Sequence, residues 1–466
     1  MKRFLSFLLI LSFLAVILPG CASTKELWVV TECADAGGIP KQVEFIINTF
    51  TKTHEDVSVK LDVLPSKKLE RAIFLDELRT KIAEGNGPDV YLFTTDLFNH
   101  EPLFSDVELT MRSGRFADLS SYYNADDTLG KEALSTVIMD AGTVGNARYV
   151  LPLAFEFPTL YVDTDMMEQA GISLDTLNAG ISSVREAAIA TGDTMWACGA
   201  EVYNARSGFN MFPRLIDYDA KQVLLTAREV ADYMRSQQKN IALIGDYYKH
   251  RTFYDFSIYT GEGFSWDSLE APMLGDALRL RDIIDMTVIS RIVEKPLTIL
   301  PLRAYDGSLV ADVTFYAAVD SDCREKELAY SLVREFLSEK NQWKTDFPYM
   351  AFRPVLGIGW PVRVSGSVDA LWRNYLRNTK YMSIYGDGSE ERMAAIRSQK
   401  LTQSDIPVLN ETIDIVRFNI QPERTVYENL LYKLNVRENH YTPSDADIDA
   451  LAEEVIQALQ WHLDQG

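Results

Sequence analysis

Apolar and polar positions in the first hundred residues follow two alternating periods. Leu27-Trp28-Val29-Val30 forms the apolar centre of a short run from Glu26 to Glu32, which predicts a buried strand. Val43, Ile46, Ile47 and Phe50 then fall at i, i+3, i+4 and i+7 and predict a helix over 39–54. Pro40 sits near its first position, where a missing N–H costs nothing. Val57-Ser58-Val59-Lys60-Leu61-Asp62-Val63 alternates strictly, as a half-exposed strand does. Leu69, Ile73, Leu78 and Ile82 mark a second helix, ended near Gly85–Pro88, and Asp89-Val90-Tyr91-Leu92-Phe93 reads as a third strand. Strand, helix, strand, helix, strand at this spacing predicts a parallel sheet with right-handed crossovers. Ligands of such sheets sit outside the carboxyl ends of the strands, here Thr31-Glu32-Cys33 and Thr94-Thr95-Asp96.

Farther along, the periods are less regular. Helices are expected near 132–140, 165–170 and 220–238, and a short apolar strand over 240–246. The stretch 247–266 is dense in aromatic residues. Leu309 to Val319 reads as a strand, and 325–339 as a helix with Leu328, Leu332, Val333, Phe336 and Leu337 inward. Irregular Pro/Gly-rich chain from Gln342 to Ser367 leads into a mostly helical tail. Its last helix spans 444–463, with Ser444 as N-cap and Ile448, Leu451, Val455 and Leu459 as its stripe. The chain shows no internal repeat.

The N-terminus is not part of this pattern. Lys2 and Arg3 precede an almost unbroken apolar run from Phe4 to Leu18, which has the layout of a secretory signal peptide. The run falls short of the roughly 20 residues that span a bilayer. Leu18-Pro19-Gly20-Cys21 resembles a bacterial lipobox, with Pro19 an unusual occupant of the middle position. The resemblance implies a signal peptide over residues 1–20, lipid on the Cys21 sulfur and a tether over 21–25. The domain would then be held at the extracytoplasmic face of the cell membrane. The alternatives are plain secretion with a cysteine that happens to follow the cleavage site, and an uncleaved anchor.

Composition narrows the classes. The chain is 47% hydrophobic and 24% charged, a globular balance, and its length suggests two or three domains. A formal charge of −21 excludes nucleic acid as a partner through a basic patch. It also repels anionic headgroups, so any membrane attachment falls to the lipid. Cys33, Cys198 and Cys323 cannot form a full disulfide set and read as small buried hydrophobes. His54, His100, His250, His440 and His462 show no metal-ligand spacing, so neither metal nor cofactor is expected.

Four segments together resemble the extracellular solute-binding proteins of the maltose-binding-protein type. Gly87-Pro88-Asp89-Val90 is similar to that family's entry into its third strand. Residues 149–156, followed by 160–166 and Ala170-Gly171-Ile172, resemble its crossover into the second lobe. Residues 240–247 resemble a later strand that ends on a tryptophan, here Tyr247. Lys326 to Phe336, with Gln342 beyond, is similar to its Ala-x-x-Phe-x-x-Phe-Leu helix. The family's Tyr-Asn pair in the crossover is Val162-Asp163 here.

The resemblance implies a two-lobed α/β fold of the periplasmic-binding-protein type II, with hinge crossovers and a helical C-terminal tail. The first lobe would use 26–140 and 300–339, the second 144–299 and 342–466. It further implies a monomeric receptor without catalytic activity. A small-molecule solute, with a mono- or oligosaccharide expected, would bind between the lobes and pass to ABC permease subunits.

Sugar sites need aromatic faces for the C–H side of a pyranose and carboxylates for its hydroxyls. Glu32 and Asp35 follow the first strand and Asp96 the third, although each could instead be an exposed acid capping the next helix. Glu156 lies within an apolar run, where an acid needs a cleft or a partner. Tyr247, Tyr248, Phe93 and Trp266 are the aromatic candidates, against burial in the core as the alternative. The chain has no Gly-x-Ser-x-Gly, no Gly-Lys-Thr/Ser loop and no His-Glu-x-x-His. A surface-anchored glycoside hydrolase using two of its many acids and a sensory lipoprotein of the same fold remain the rival readings.

Overall fold

A computed structural model describes residues 24–32, 39–95, 101–192, 214–250, 273–276, 287–288, 290–291, 294, 296, 297–343, 359–363, 372, 394, 398–401, 412–418 and 443–465. Its elements begin with β1 (Lys25–Thr31), α1 (Ile39–Thr53), β2 (Val57–Val63), α2 (Lys68–Ala83) and β3 (Val90–Thr94). These match the predicted series closely. After α3 (Val107–Arg112) come β4 (Val150–Glu156), β5 (Thr159–Asp163), α4 (Thr164–Gln169) and α5 (Ile181–Thr191). A small hairpin, β6 (Ile216–Asp217) and β7 (Gln222–Val223), precedes α6 (Ala227–His250). The rest comprises β8 (Met273–Asp276), β9 (Leu297–Pro301), β10 (Val310–Val319), α7 (Lys326–Glu335), β11 (Trp360–Pro361), β12 (Ile415–Arg417) and α8 (Asp445–Gln465).

The larger sheet has the order β11-β4-β10-β3-β1-β2, with β12 beside the start of β10. β1 runs parallel to both β2 and β3, as two right-handed crossovers require. β10 is antiparallel to β3 and β4, and every residue along it is buried. The smaller sheet, β8-β5-β9, is antiparallel.

Each sheet has its own core. Val29, Leu92, Leu151, Phe315 and Phe336 belong to the core around the larger sheet. Leu160, Val162, Val184, Met234 and Ile448 belong to the core around the smaller one. The fold is thus the two-lobed α/β architecture that the sequence implied. The chain crosses between sheets at 157–158 and again between Pro301 and Val310. The sequence set the first crossing near 144, but β4 pairs along β10 and carries the larger sheet on to Glu156. The tail expected in the second lobe also returns β11 and β12 to the larger sheet before α8 joins the smaller core.

Two other expectations are corrected. The helix expected over 220–238 starts at Ala227. Thr226 and Glu229 form a reciprocal cap there, with Thr226 N and Oγ1 donating to Glu229 Oε2 at 2.9 and 2.6 Å. The residues before it form the β6–β7 hairpin, whose turn is held by Asp217 Oδ1 accepting from Asp219 N and Ala220 N. The strand expected at 240–246 is the continuation of α6 to His250. A short apolar run carries no period of its own, and nothing in Asn240–Asp246 breaks a helix already under way.

In α2 the apolar stripe is rotated from the expected one. Arg71, Leu75, Leu78 and Ile82 are its buried residues, whereas Leu69 and Ile73 are 74% and 54% exposed. α8 follows its expectation throughout. Ser444 Oγ donates to Asp447 Oδ2 at 2.7 Å in the cap, and Ile448, Leu451, Val455 and Leu459 are buried. Among the described residues no helix is long and apolar enough to cross a membrane.

Candidate functional site

The carboxyl ends of β1, β3 and β4 lie on one edge of the larger sheet, beside the start of the antiparallel β10. Both chain crossings leave from this edge. Its polar residues are unusually deep. Glu32, Thr94, Glu156, Asp312, Thr314 and Arg417 are all buried.

At the β4 end, Glu156 is 3% exposed and stands in register opposite Asp312 on β10. Two acids so close in an apolar setting need cationic or hydroxyl partners. Arg417 of β12 supplies one, its Nε lying 2.9 Å from Asp312 Oδ1. Phe157, the first residue after β4, stacks on Trp360 with centroids 5.1 Å apart and planes at 29°. Trp360 is brought there by β11, which pairs with Phe155 and Ala154. Gly359 makes this approach possible: its φ is +92°, and a Cβ would stand 2.3 Å from the carbonyl oxygen of Phe155.

At the β1 end, Glu32 is 1% exposed and accepts from Arg71 Nη2 at 3.0 Å. Arg71 Nε also donates to the Glu101 carbonyl at 2.7 Å and Nη1 to that of Pro65 at 3.4 Å. One guanidinium therefore ties together the segments that follow β1, β2 and β3. The Thr95 hydroxyl donates to Val313 O at 2.6 Å, and that of Thr94 to Thr314 O at 2.8 Å, closing the edge between β3 and β10. Burial pushes the Tyr316 hydroxyl well above the usual phenol range, and the Glu32 charge adds to it.

The sequence candidates divide accordingly. Glu32 and Glu156 sit on this edge. Phe93 is core, 2% exposed with its ring against Tyr91, Phe104 and Tyr316. The backbone of Tyr247 and Tyr248 lies in α6, not after a strand. Asp35, Asp96, Trp266, Cys21 and the side chains of Tyr247 and Tyr248 lie outside the described residues.

Sequence reasoning missed Arg71, Asp312 and Arg417. The first two carried the signal that singled out Glu156, a charge inside an apolar pattern. Arg71 occupies the inward stripe of α2, and Asp312 interrupts the run Leu309–Val319. Arg417 had no comparable signal, because the three-residue β12 is recognised only by its pairing with β10. The departure at Asp163 has a local function, since its side chain caps α4 by accepting from Met166 N at 3.0 Å.

Known proteins agree with this architecture. The sequence model of the family described as bacterial extracellular solute-binding protein matches residues 37–248. No curated protein matches the chain in sequence. Among solved structures, the cyclic alpha-maltosyl-1,6-maltose binding protein from Arthrobacter globiformis is 14% identical, with a TM-score of 0.51 over 95% of this chain and 99% of that one. The substrate-binding protein Lmo0181 from Listeria monocytogenes, solved with cycloalternan, is 14% identical, with a TM-score of 0.50 over 94% and 99%. An extracellular solute-binding protein of family 1 from Alicyclobacillus acidocaldarius is 13% identical, with a TM-score of 0.50 over 94% and 98%. Residues 37–248 are thus similar in sequence to the bacterial extracellular solute-binding proteins, and the fold of the chain is similar to that of the solved solute-binding proteins.

Proposed function

We propose that this protein is the lipid-anchored receptor of an ABC importer and that it captures a carbohydrate between its two lobes. The observation that carries the reading is the edge where the chain crosses between sheets. Glu156, Asp312 and Arg417 are buried there beside the Phe157–Trp360 stack. Carboxylates and a guanidinium can pair with sugar hydroxyls, and aromatic faces with the C–H side of the ring. One of the similar structures was solved with cycloalternan and another is named for binding cyclic alpha-maltosyl-1,6-maltose, which supports an oligosaccharide as ligand.

In this reading Glu156 reaches the solute from the crossing. Asp35, Asp96, Tyr247, Tyr248 and Trp266 are further candidate contacts. Cys21 carries the lipid that keeps the receptor beside its permease. The receptor makes and breaks no bond; closure of the lobes buries the solute and creates the form the permease accepts.

A thermal-shift screen of mono- and oligosaccharides, amino acids and polyamines on the chain from residue 22 tests the ligand class. A true ligand at a hundred times its Kd should add about 2.7 kcal/mol of stability. If no sugar stabilises the protein, the carbohydrate reading fails. Turnover of an oligosaccharide would overturn the passive-receptor reading. Retention of a Cys21→Ser variant at the membrane would overturn the anchor.

A further inference from the structure

α3 belongs to the larger lobe by its core residues Val107 and Met111. The β6–β7 hairpin and α8 belong to the smaller lobe. These elements meet at Asp106, the N-cap of α3. Asp106 Oδ1 accepts from Leu109 N at 2.9 Å and so serves its own helix. Its Oδ2 serves the other lobe, accepting from the Tyr218 hydroxyl and lying 2.8 Å from His462 Nε2. Asp106 is 3% exposed and His462 8%. A second contact lies at the last residue of α3. Arg112 Nη1 is 2.6 Å from Asp219, its guanidinium lies 5.6 Å from the Tyr218 ring centroid, and its Nη2 holds Glu108 at 3.0 Å.

We infer that Asp106, Tyr218 and His462 form a latch that holds the two lobes together and sets how far the protein opens before solute arrives. Resting on the receptor reading above, the inference adds a control that the crossings cannot supply. The crossings only connect the lobes, whereas a buried carboxylate shared between them favours one arrangement. Opening would break the bonds of that carboxylate to Tyr218 and His462. A latch formed without solute raises the closed fraction of the empty receptor. Solute affinity then rises in proportion to that fraction.

The test measures the distance between lobes in the absence of solute. Spin labels on ketone-bearing residues placed at the exposed positions of Lys67, in the larger lobe, and Arg228, in the smaller, report it without using thiols. In the otherwise unaltered chain the distribution should be narrow. In Tyr218→Phe, His462→Gln and Asp106→Asn it should lengthen by more than about 2 Å, the scale of a domain rearrangement. Tyr218→Phe keeps the ring packing and remains informative if the Asp106 variant does not fold. Unchanged distributions in Tyr218→Phe and His462→Gln would overturn the latch. Because no solute is present, the result is independent of whether any sugar binds.

Discussion

Arg71 Nη2 lies 3.0 Å from Glu32 Oε2, and each side chain is 1% exposed. The pair joins the inner face of α2 to the carboxyl end of β1. The two remaining donor nitrogens of Arg71 reach the carbonyls of Pro65 and Glu101, so the guanidinium is paired on all sides. Removing one partner strands a buried charge. Arg71→Ala should therefore lose about 3–5 kcal/mol of stability in urea unfolding. Replacing both members with apolar residues, Arg71→Met with Glu32→Leu, should recover much of that loss. If the double variant is no more stable than Arg71→Ala, the bonds to the loop carbonyls are the dominant contribution.

Acid should find a weak point at Asp126. Burial opposes its charge, but the Thr128 hydroxyl at 2.7 Å and the Arg334 guanidinium at 3.0 Å outweigh it and hold the carboxyl below its ordinary range. A carboxyl lowered by folding adds stability that is complete above its unfolded pKa of about 3.9. That stability is lost as pH falls through the folded value. Asp126→Asn should cost about 1–2 kcal/mol at neutral pH, the lower figure reflecting the partly exposed Arg334. Urea titrations at successive pH values should show the gap between parent and variant narrowing below about pH 4.

Cys323 is expected to be inert in the folded protein. It is 3% exposed, and burial, with Asp89 beside it, pushes the thiol up to about 12. Little thiolate, the reactive form, is then present at pH 8. Alkylation followed by peptide mass analysis should leave Cys323 unmodified in buffer and modify it in urea. Rapid modification of the native chain would contradict its placement in the core.

Gly359→Ala should release the strand that brings Trp360 to the site. The left-handed backbone disfavours any side chain, and the new Cβ would meet the Phe155 carbonyl at 2.3 Å. A loss of at least about 2 kcal/mol is expected. In the receptor reading it is accompanied by weaker oligosaccharide binding in the thermal-shift screen. Full stability of Gly359→Ala would mean that β11 does not pack on Phe155.

The sequence resolved most where a period runs long enough to point. The first five elements, β10, α7 and α8 were all legible, and the Ser444 cap marked the start of α8. Glu156 was legible as a site candidate because an acid in an apolar run is costly. Where two signals competed, the local one misled. An apolar stripe drawn through Leu69 and Ile73 missed the face of α2 that carries Arg71, since hydrophobic counting rejects a charge whose partner it cannot see. The run at 240–246 looked like a strand because seven residues are too few to separate the two periods.

What the sequence determined by itself is local: the first five elements, β10, α7 and α8 in their order, and for α8 its cap and its buried stripe. The tertiary structure alone decided which distant residues share that burial. Asp312 and Arg417 are 105 residues apart, and Asp106 and His462 are 356 apart. The cost of burying a carboxylate is written in the residue itself, but the group that offsets the cost is chosen by the packing of the sheets and helices around it.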